Sequence, residues 1–133
     1  MRGMHWSRMA AGALLCAASL WGAAQAQTFA SPETAASQRR CGWWENPRPG
    51  NAWLNDRDGS WTVGMQGGPQ AEGDWPSFSD AQWVRTNGYY GYGCACLRVV
   101  ADADTQQVQR ILSATAKPLA ACRLDRHLRE PAR

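Results

Sequence analysis

Two cysteines one residue apart, Cys94 and Cys96, with two others far away at Cys41 and Cys122, constrain this chain more than any other feature. On a strand, residues i and i+2 point to the same face, so Cys94 and Cys96 would present both thiols on one side. An even number of cysteines in a small exported chain reads as two disulfides rather than a metal site. A ring closed between Cys94 and Cys96 would be strained. Cys41 and Cys122 are therefore each expected to bond to one member of the pair, with the assignment between them open. A bridge from Cys41 to Cys94 would close ~54 residues and contribute roughly 4 kcal/mol on the chain-entropy view. Net stabilities of small domains are only about 5–15 kcal/mol, so the bridges should matter.

The expectation of export rests on the first 26 residues. Arg2 and Arg8 flank a basic start, an apolar run follows from Met9 to about Gly22, and Ala24-Gln25-Ala26 supplies the small residues a signal peptidase reads. Residues 1–26 are thus expected to be a signal peptide, cleaved after Ala26, giving a periplasmic or secreted protein. The run is short for a membrane span, which needs ~20 residues, and no span is expected after cleavage. Lipidation of the fifth cysteine, Cys16, would need a small residue before it, and Leu15 is not small. Removing Arg2 and Arg8 leaves 12 basic against 11 acidic side chains, and the stretch from Cys41 to Cys122 holds 6 basic and 8 acidic. A nucleic-acid partner would call for a basic stripe that this stretch lacks.

Along the mature chain, residues 27–40 are polar and aperiodic and read as a flexible leader. The folded domain is expected over 41–122, followed by a basic, solvated tail at 123–133. Cys41 to Gly50 reads as a short edge segment ending in a turn. Asn51–Leu54 and Ser60–Met65 read as strands joined by the Asp/Gly-rich segment 55–59. Asp56, Asp58 and Gly59 are part of a calcium-loop pattern, but Gly67 stands where the closing glutamate would be, and a plain turn is preferred. Ser79 with Gln82 has capping-box spacing and predicts one or two helical turns. Cys94 to about Ala101 is the best strand, with Gln107–Ser113 returning as its hairpin partner. Glycines 88, 91 and 93 predict a bulge or a close approach. The fold class expected is β-rich α+β: a small antiparallel sheet of hairpins with one short helix, stapled by two disulfides.

Six of the eight tryptophans fall between Trp43 and Trp83. Such side chains fill cores, but with Tyr89, Tyr90 and Tyr92 some could floor an exposed groove, where aromatic faces beside Asn, Asp or Arg suit sugar rings and protein interfaces. Neighbours on a strand face opposite sides, so Trp43 and Trp44 are not both expected to point inward. One of them is expected at the surface. Trp43, Trp44, Tyr89, Tyr90 and Tyr92 are the candidate binding residues.

The stretches Cys41-Gly-Trp-Trp, Pro49-Gly-Asn-Ala-Trp-Leu-Asn-Asp-Arg-Asp-Gly-Ser-Trp-Thr, Gln66-Gly-Gly, Trp75-Pro, Asn87-Gly-Tyr-Tyr-Gly-Tyr-Gly-Cys-Ala-Cys96, Arg110-Ile and Lys117-Pro-Leu resemble a small exported bacterial family, catalogued as domain of unknown function number four-zero-eight-seven. The resemblance spans about Arg40 to Cys122. It implies a Gram-negative periplasmic or secreted protein and brings no functional residue.

For function, the residues offer no Gly-x-Ser-x-Gly elbow, no His-Glu-x-x-His and no phosphate loop. The mature chain has one histidine, His127, in the tail. Paired cysteines leave neither a thiol nucleophile nor a zinc cage, and no cofactor is implied. A glycan hydrolase would have to pair Glu45, as acid, with Asp56, Asp58, Asp74 or Asp80. The expectation is a binding module rather than an enzyme. Its partner would be an envelope protein, in an inhibitor- or immunity-like role, or alternatively a cell-wall glycan.

Overall fold

A computed structural model describes residues 37–133. The expected signal peptide, Cys16 and the first part of the expected leader lie outside the described residues. Six strands follow in order: β1 (Ser37–Arg48), β2 (Asn51–Asp56), β3 (Gly59–Gly64), β4 (Trp83–Asn87), β5 (Tyr90–Asp102) and β6 (Gln107–Lys117). A single 3₁₀ turn, Asp80–Gln82, precedes β4, and one short helix, α1 (Leu119–Arg123), follows β6. The β-rich class with one short helix and two disulfides holds.

The Cys-x-Cys strand is the hub. One edge of β5 pairs along its length with β1, from Ser37↔Val100 to Asn46↔Gly91. Its other edge is shared, β4 taking Tyr90 to Gly93 and β6 taking Cys94 to Asp102. With β1 also bonded to β2, β2 to β3, and β3 to β6, the ring of strands closes. All contacts are antiparallel except β3–β6, which is parallel at Thr62↔Gln107, so the sheet is mixed rather than purely antiparallel. Five strands closed in this order form a Greek-key barrel of the OB kind, a likeness of wiring that by itself assigns no ligand.

Closure gives the sheet an inside and an outside, and each carries a buried cluster. Trp44, Leu54, Trp61, Val63, Ala95, Leu97, Val99 and Val108 fill the barrel. On the outer face Trp43, Tyr92, Cys94 and Cys122 form a second cluster beneath Leu119 and Leu128 of the C-terminal segment. Neighbours Trp43 and Trp44 do face opposite sides, as strand geometry requires. Both are nevertheless buried, at 0% and 2% exposure, because the C-terminal segment roofs the side expected to be open.

Three further boundaries differ from the sequence reading. Residues 37–40 belong to β1 rather than to a flexible leader, and β1 is central, not an edge. Arg40 plugs one end of the barrel: its guanidinium lies 3.5 Å over the Trp61 ring and binds Asp56 at 2.7 Å and Asp58 at 3.1 Å. The tail at 123–133 is docked, not frayed. Glu130 accepts hydrogen bonds from the Tyr92 hydroxyl at 3.0 Å and from Arg123 at 2.8 Å, and Cys94–Cys122 ties the segment down. The second bridge, Cys41–Cys96, joins residues directly opposite each other on β1 and β5, with Cα atoms 4.0 Å apart. Each distant cysteine thus bonds to one member of the central pair, as expected.

Candidate functional site

The segment from Met65 to Gln82 crosses one end of the barrel, and its aromatic residues line the surface there. Trp75 and Phe78 pack against the barrel core. Trp75 meets Trp44 edge-on, with ring centres 5.3 Å apart. Phe78 lies 4.9 Å from Trp83 at the start of β4. This approach requires Gly93 on the neighbouring strand, where a Cβ would sit 2.6 Å from Phe78 Cε1. The 3₁₀ turn sets the angle between crossover and strand. Its capping serine donates its backbone N–H to Gln82 Oε1 at 3.1 Å, the spacing that the sequence predicted as a helix start.

Between these elements lies a cleft of about 310 Å³, walled by Trp44, Trp75, Pro76, Phe78, Trp83 and Tyr89, with Asn46, Asp80 and Arg85 among its polar lining. Tyr89 stands out from the β4–β5 turn at 83% exposure. The turn needs Gly88 at φ +59° to place it. The Trp83 indole N–H donates to the Tyr89 carbonyl at 3.0 Å, which fixes the indole plane. Arg85 sits 5.1 Å over the Tyr89 ring and 3.4 Å from Asp80. The cleft therefore offers fixed aromatic surfaces edged by one carboxylate, one guanidinium and one amide.

Of the residues expected to bind, Trp44 and Tyr89 reach this cleft, Trp44 as its buried back wall. Trp43 and Tyr92 do not. They meet each other edge-on at 5.5 Å under the C-terminal segment, because β1 and β5 bring them to the roofed face. Tyr90 is half-buried and opposite Asn87, outside the cleft lining. Trp75, Phe78, Trp83, Asp80 and Arg85 were not singled out as binding residues from sequence. The signal that could have found them is aromatic residues interleaved with Asp80 and Arg85 over a dozen positions.

Of the carboxylates considered for hydrolysis, Asp56 shares a cavity with Glu45, and Asp58, Asp74 and Asp80 do not line it. Asp80 lies at the cleft, Asp56 and Asp58 serve Arg40, and Asp74 is exposed on the crossover. Glu45 lies on the roofed outer face. It accepts a hydrogen bond from the Asn55 amide and shares a cavity of about 380 Å³ with Asp56, His127 and Glu130. Burial pushes the Glu45 carboxyl above its ordinary value. Glu130 moves the other way, held down chiefly by its hydrogen bond from Arg123.

The signs give a test. A carboxyl raised in the folded state penalises folding once it is ionised, so the penalty is absent below the unfolded-state value and complete above the folded-state one. Glu45→Gln keeps the acceptor for Asn55 and removes the charge. It is expected to raise the Tm by a few degrees at pH 7 and to make no difference near pH 4. Thermal melts across that range check it, and a gain that persists at pH 4 would rule out ionisation as its cause.

Among the described residues no three or more His, Cys, Asp or Glu converge as a metal site, and no helix is long and apolar enough to cross a membrane. The two disulfides are consistent with an oxidising compartment. No curated protein and no solved structure matches the chain. A family model does: it spans residues 35–129 and is described as "Protein of unknown function (DUF4087)". The match includes both disulfides, the whole barrel and the cleft, and the chain belongs to that family.

Proposed function

We propose that this domain is an exported binding module that holds a cell-wall glycan in the aromatic cleft. The observation that carries the reading is the cleft's composition, with Trp75, Phe78, Trp83 and Tyr89 presented beside Asn46, Asp80 and Arg85. Sugar rings offer apolar C–H faces and a polar rim of hydroxyls, so they match aromatic planes bordered by hydrogen-bonding side chains. The cleft's volume suits one or two rings at its floor. A protein partner is the weaker reading. Stable protein interfaces bury about 800 Å² per partner around a central apolar cluster. Among the described residues, the large exposed apolar side chains are Met65, Tyr89 and Leu124, from three separate segments.

The test is co-sedimentation with purified peptidoglycan sacculi, using the oxidised protein and two cleft variants. Tyr89→Ala and Asp80→Asn alter exposed side chains and should change stability by no more than about 0.5 kcal/mol. Tyr89→Ala is expected to weaken sacculus binding several-fold, since one aromatic contact contributes about 0.5–1.5 kcal/mol, and Asp80→Asn to weaken it by removing a charged acceptor for sugar hydroxyls. Binding that neither variant alters, or no binding by the unaltered protein, would refute the glycan reading.

A further inference from the structure

The outer face of the sheet is only partly roofed. The C-terminal segment covers Trp43, Tyr92 and Cys94. Beyond them, past the Cys41–Cys96 bridge, the same face carries Arg39 on β1 and Arg98 on β5, directly opposite each other in the strand ladder. Ser113 is opposite Arg98 on β6, Thr115 is opposite Cys96, and Lys117 is opposite Cys94. Together with Ser37, these side chains line a cavity of about 380 Å³ on the surface.

Like charges directly opposite on neighbouring strands weaken the pairing. Several other cations of the domain have carboxylates: Arg40 binds Asp56, Arg57 lies near Asp125, Arg110 binds Glu72 and Arg123 binds Glu130. Arg39, Arg98 and Lys117 make no ion pair among the described residues. Among the described residues the two guanidiniums have only neutral hydrogen-bond partners, Cys96 Sγ 3.5 Å from Arg39 Nη2 and Ser37 Oγ 3.1 Å from Arg98 Nη2. Two arginines facing each other across a ladder, with hydroxyls and a lysine of the third strand lining the same cavity, form a cradle for a group with several charged oxygens.

We propose that this face is a binding site for a phosphate group. Arg39 and Arg98 clamp its oxygens from two sides, Lys117 adds charge, and Ser113 and Thr115 donate hydrogen bonds. Guanidinium forks match phosphate oxygens two at a time. The phosphate also neutralises the charge repulsion between Arg39 and Arg98. This site is separate from the aromatic cleft and stands whether or not that cleft binds glycan.

The test has two arms. In the first, the amide NMR spectrum of the oxidised protein is followed as sodium phosphate replaces sodium chloride at constant ionic strength. Saturable shifts are expected at Arg39, Arg98, Ser113 and Thr115, and Arg98→Gln should weaken them about 10-fold or more. In the second, flotation compares vesicles containing phosphatidylglycerol with vesicles of phosphatidylcholine alone. A response to free phosphate assigns the site to a soluble phosphate. Arg98-dependent flotation with phosphatidylglycerol alone assigns it to a lipid headgroup. Arg98→Gln should also raise the Tm in chloride, because it removes the opposed charge, and Arg39→Gln provides an independent variant with the same expectations. Silence in both arms overturns the proposal. So do shifts equal to those at the exposed Arg48 and Arg126, or responses that both variants leave intact.

Discussion

Trp43→Ala is expected to destabilise the oxidised domain by about 3–5 kcal/mol, the range for removing a fully buried aromatic. Trp43 has no exposed surface and lies against Tyr92 at the centre of the outer cluster. Truncation leaves a void beneath the C-terminal segment that Leu119 and Leu128 can only partly fill. Trp44→Ala should cost a similar amount by emptying the join between barrel and crossover, where Trp44 meets Trp75. At about 4–8 °C per kcal/mol for a domain of this size, either loss lowers the Tm by tens of degrees. The two variants should differ in binding: Trp44→Ala also removes the back wall of the cleft, whereas Trp43→Ala leaves it standing. Melts showing losses below about 1 kcal/mol at both positions would return these side chains to the surface and contradict the two-sided core.

Removal of the Cys94–Cys122 bridge is expected to have a large effect as well. Its sequence separation of 28 corresponds to roughly 3–4 kcal/mol on the chain-entropy view. The loss should have a definite location. In a Cys94→Ala, Cys122→Ala double variant, amides from Leu119 to Glu130 should lose hydrogen-exchange protection while β1, β5 and β6 keep theirs. The segment is then held by the packing of Leu119 and Leu128 and by the hydrogen bonds that Glu130 accepts from Tyr92 and Arg123. Cys41→Ala with Cys96→Ala, by contrast, opens a bridge between strands already paired residue by residue. Its cost, about 4 kcal/mol for a separation of 55, should appear as global destabilisation with no segment singled out. Equal protection of the C-terminal segment with and without Cys94–Cys122 would contradict its role as the anchor.

Local signals in the sequence carried through to the structure where the physics is local. The turn before Gly59 makes the β2–β3 hairpin, the turn after Asp102 makes β5–β6, and Ser79 with Gln82 starts the 3₁₀ turn. The cysteine spacing foresaw that both distant cysteines bond to β5, because that argument needs only chain geometry. What escaped depended on closure. Nothing near Ser37 or Arg40 announces a strand, since their pairing partners lie some sixty residues away on β5. The parallel β3–β6 contact is likewise set by the curvature of the whole sheet. The burial of Trp43 depended on a tail whose composition looked solvated, and whose docking rests on Leu119, Leu128, Glu130 and one disulfide. The residues of the candidate cleft were half legible for the same reason. Aromatic enrichment was visible, but which aromatic residues face solvent depends on where the crossover lies across the barrel end.

The central claim is that the aromatic cleft, and not the other tryptophans, holds the ligand. Indole N–H signals test it most directly, because the tryptophans carry their own controls. The Trp83 indole is bonded to Tyr89 at the cleft, whereas the Trp61 indole is bonded to Asp56 inside the barrel at 3.1 Å, and Trp43 is sealed beneath the C-terminal segment. Soluble peptidoglycan fragments titrated into ¹⁵N-labelled oxidised protein should shift the Trp75 and Trp83 indole signals saturably and leave those of Trp43 and Trp61 in place. Unmoved signals at Trp75 and Trp83 at saturating fragment concentrations would contradict the claim.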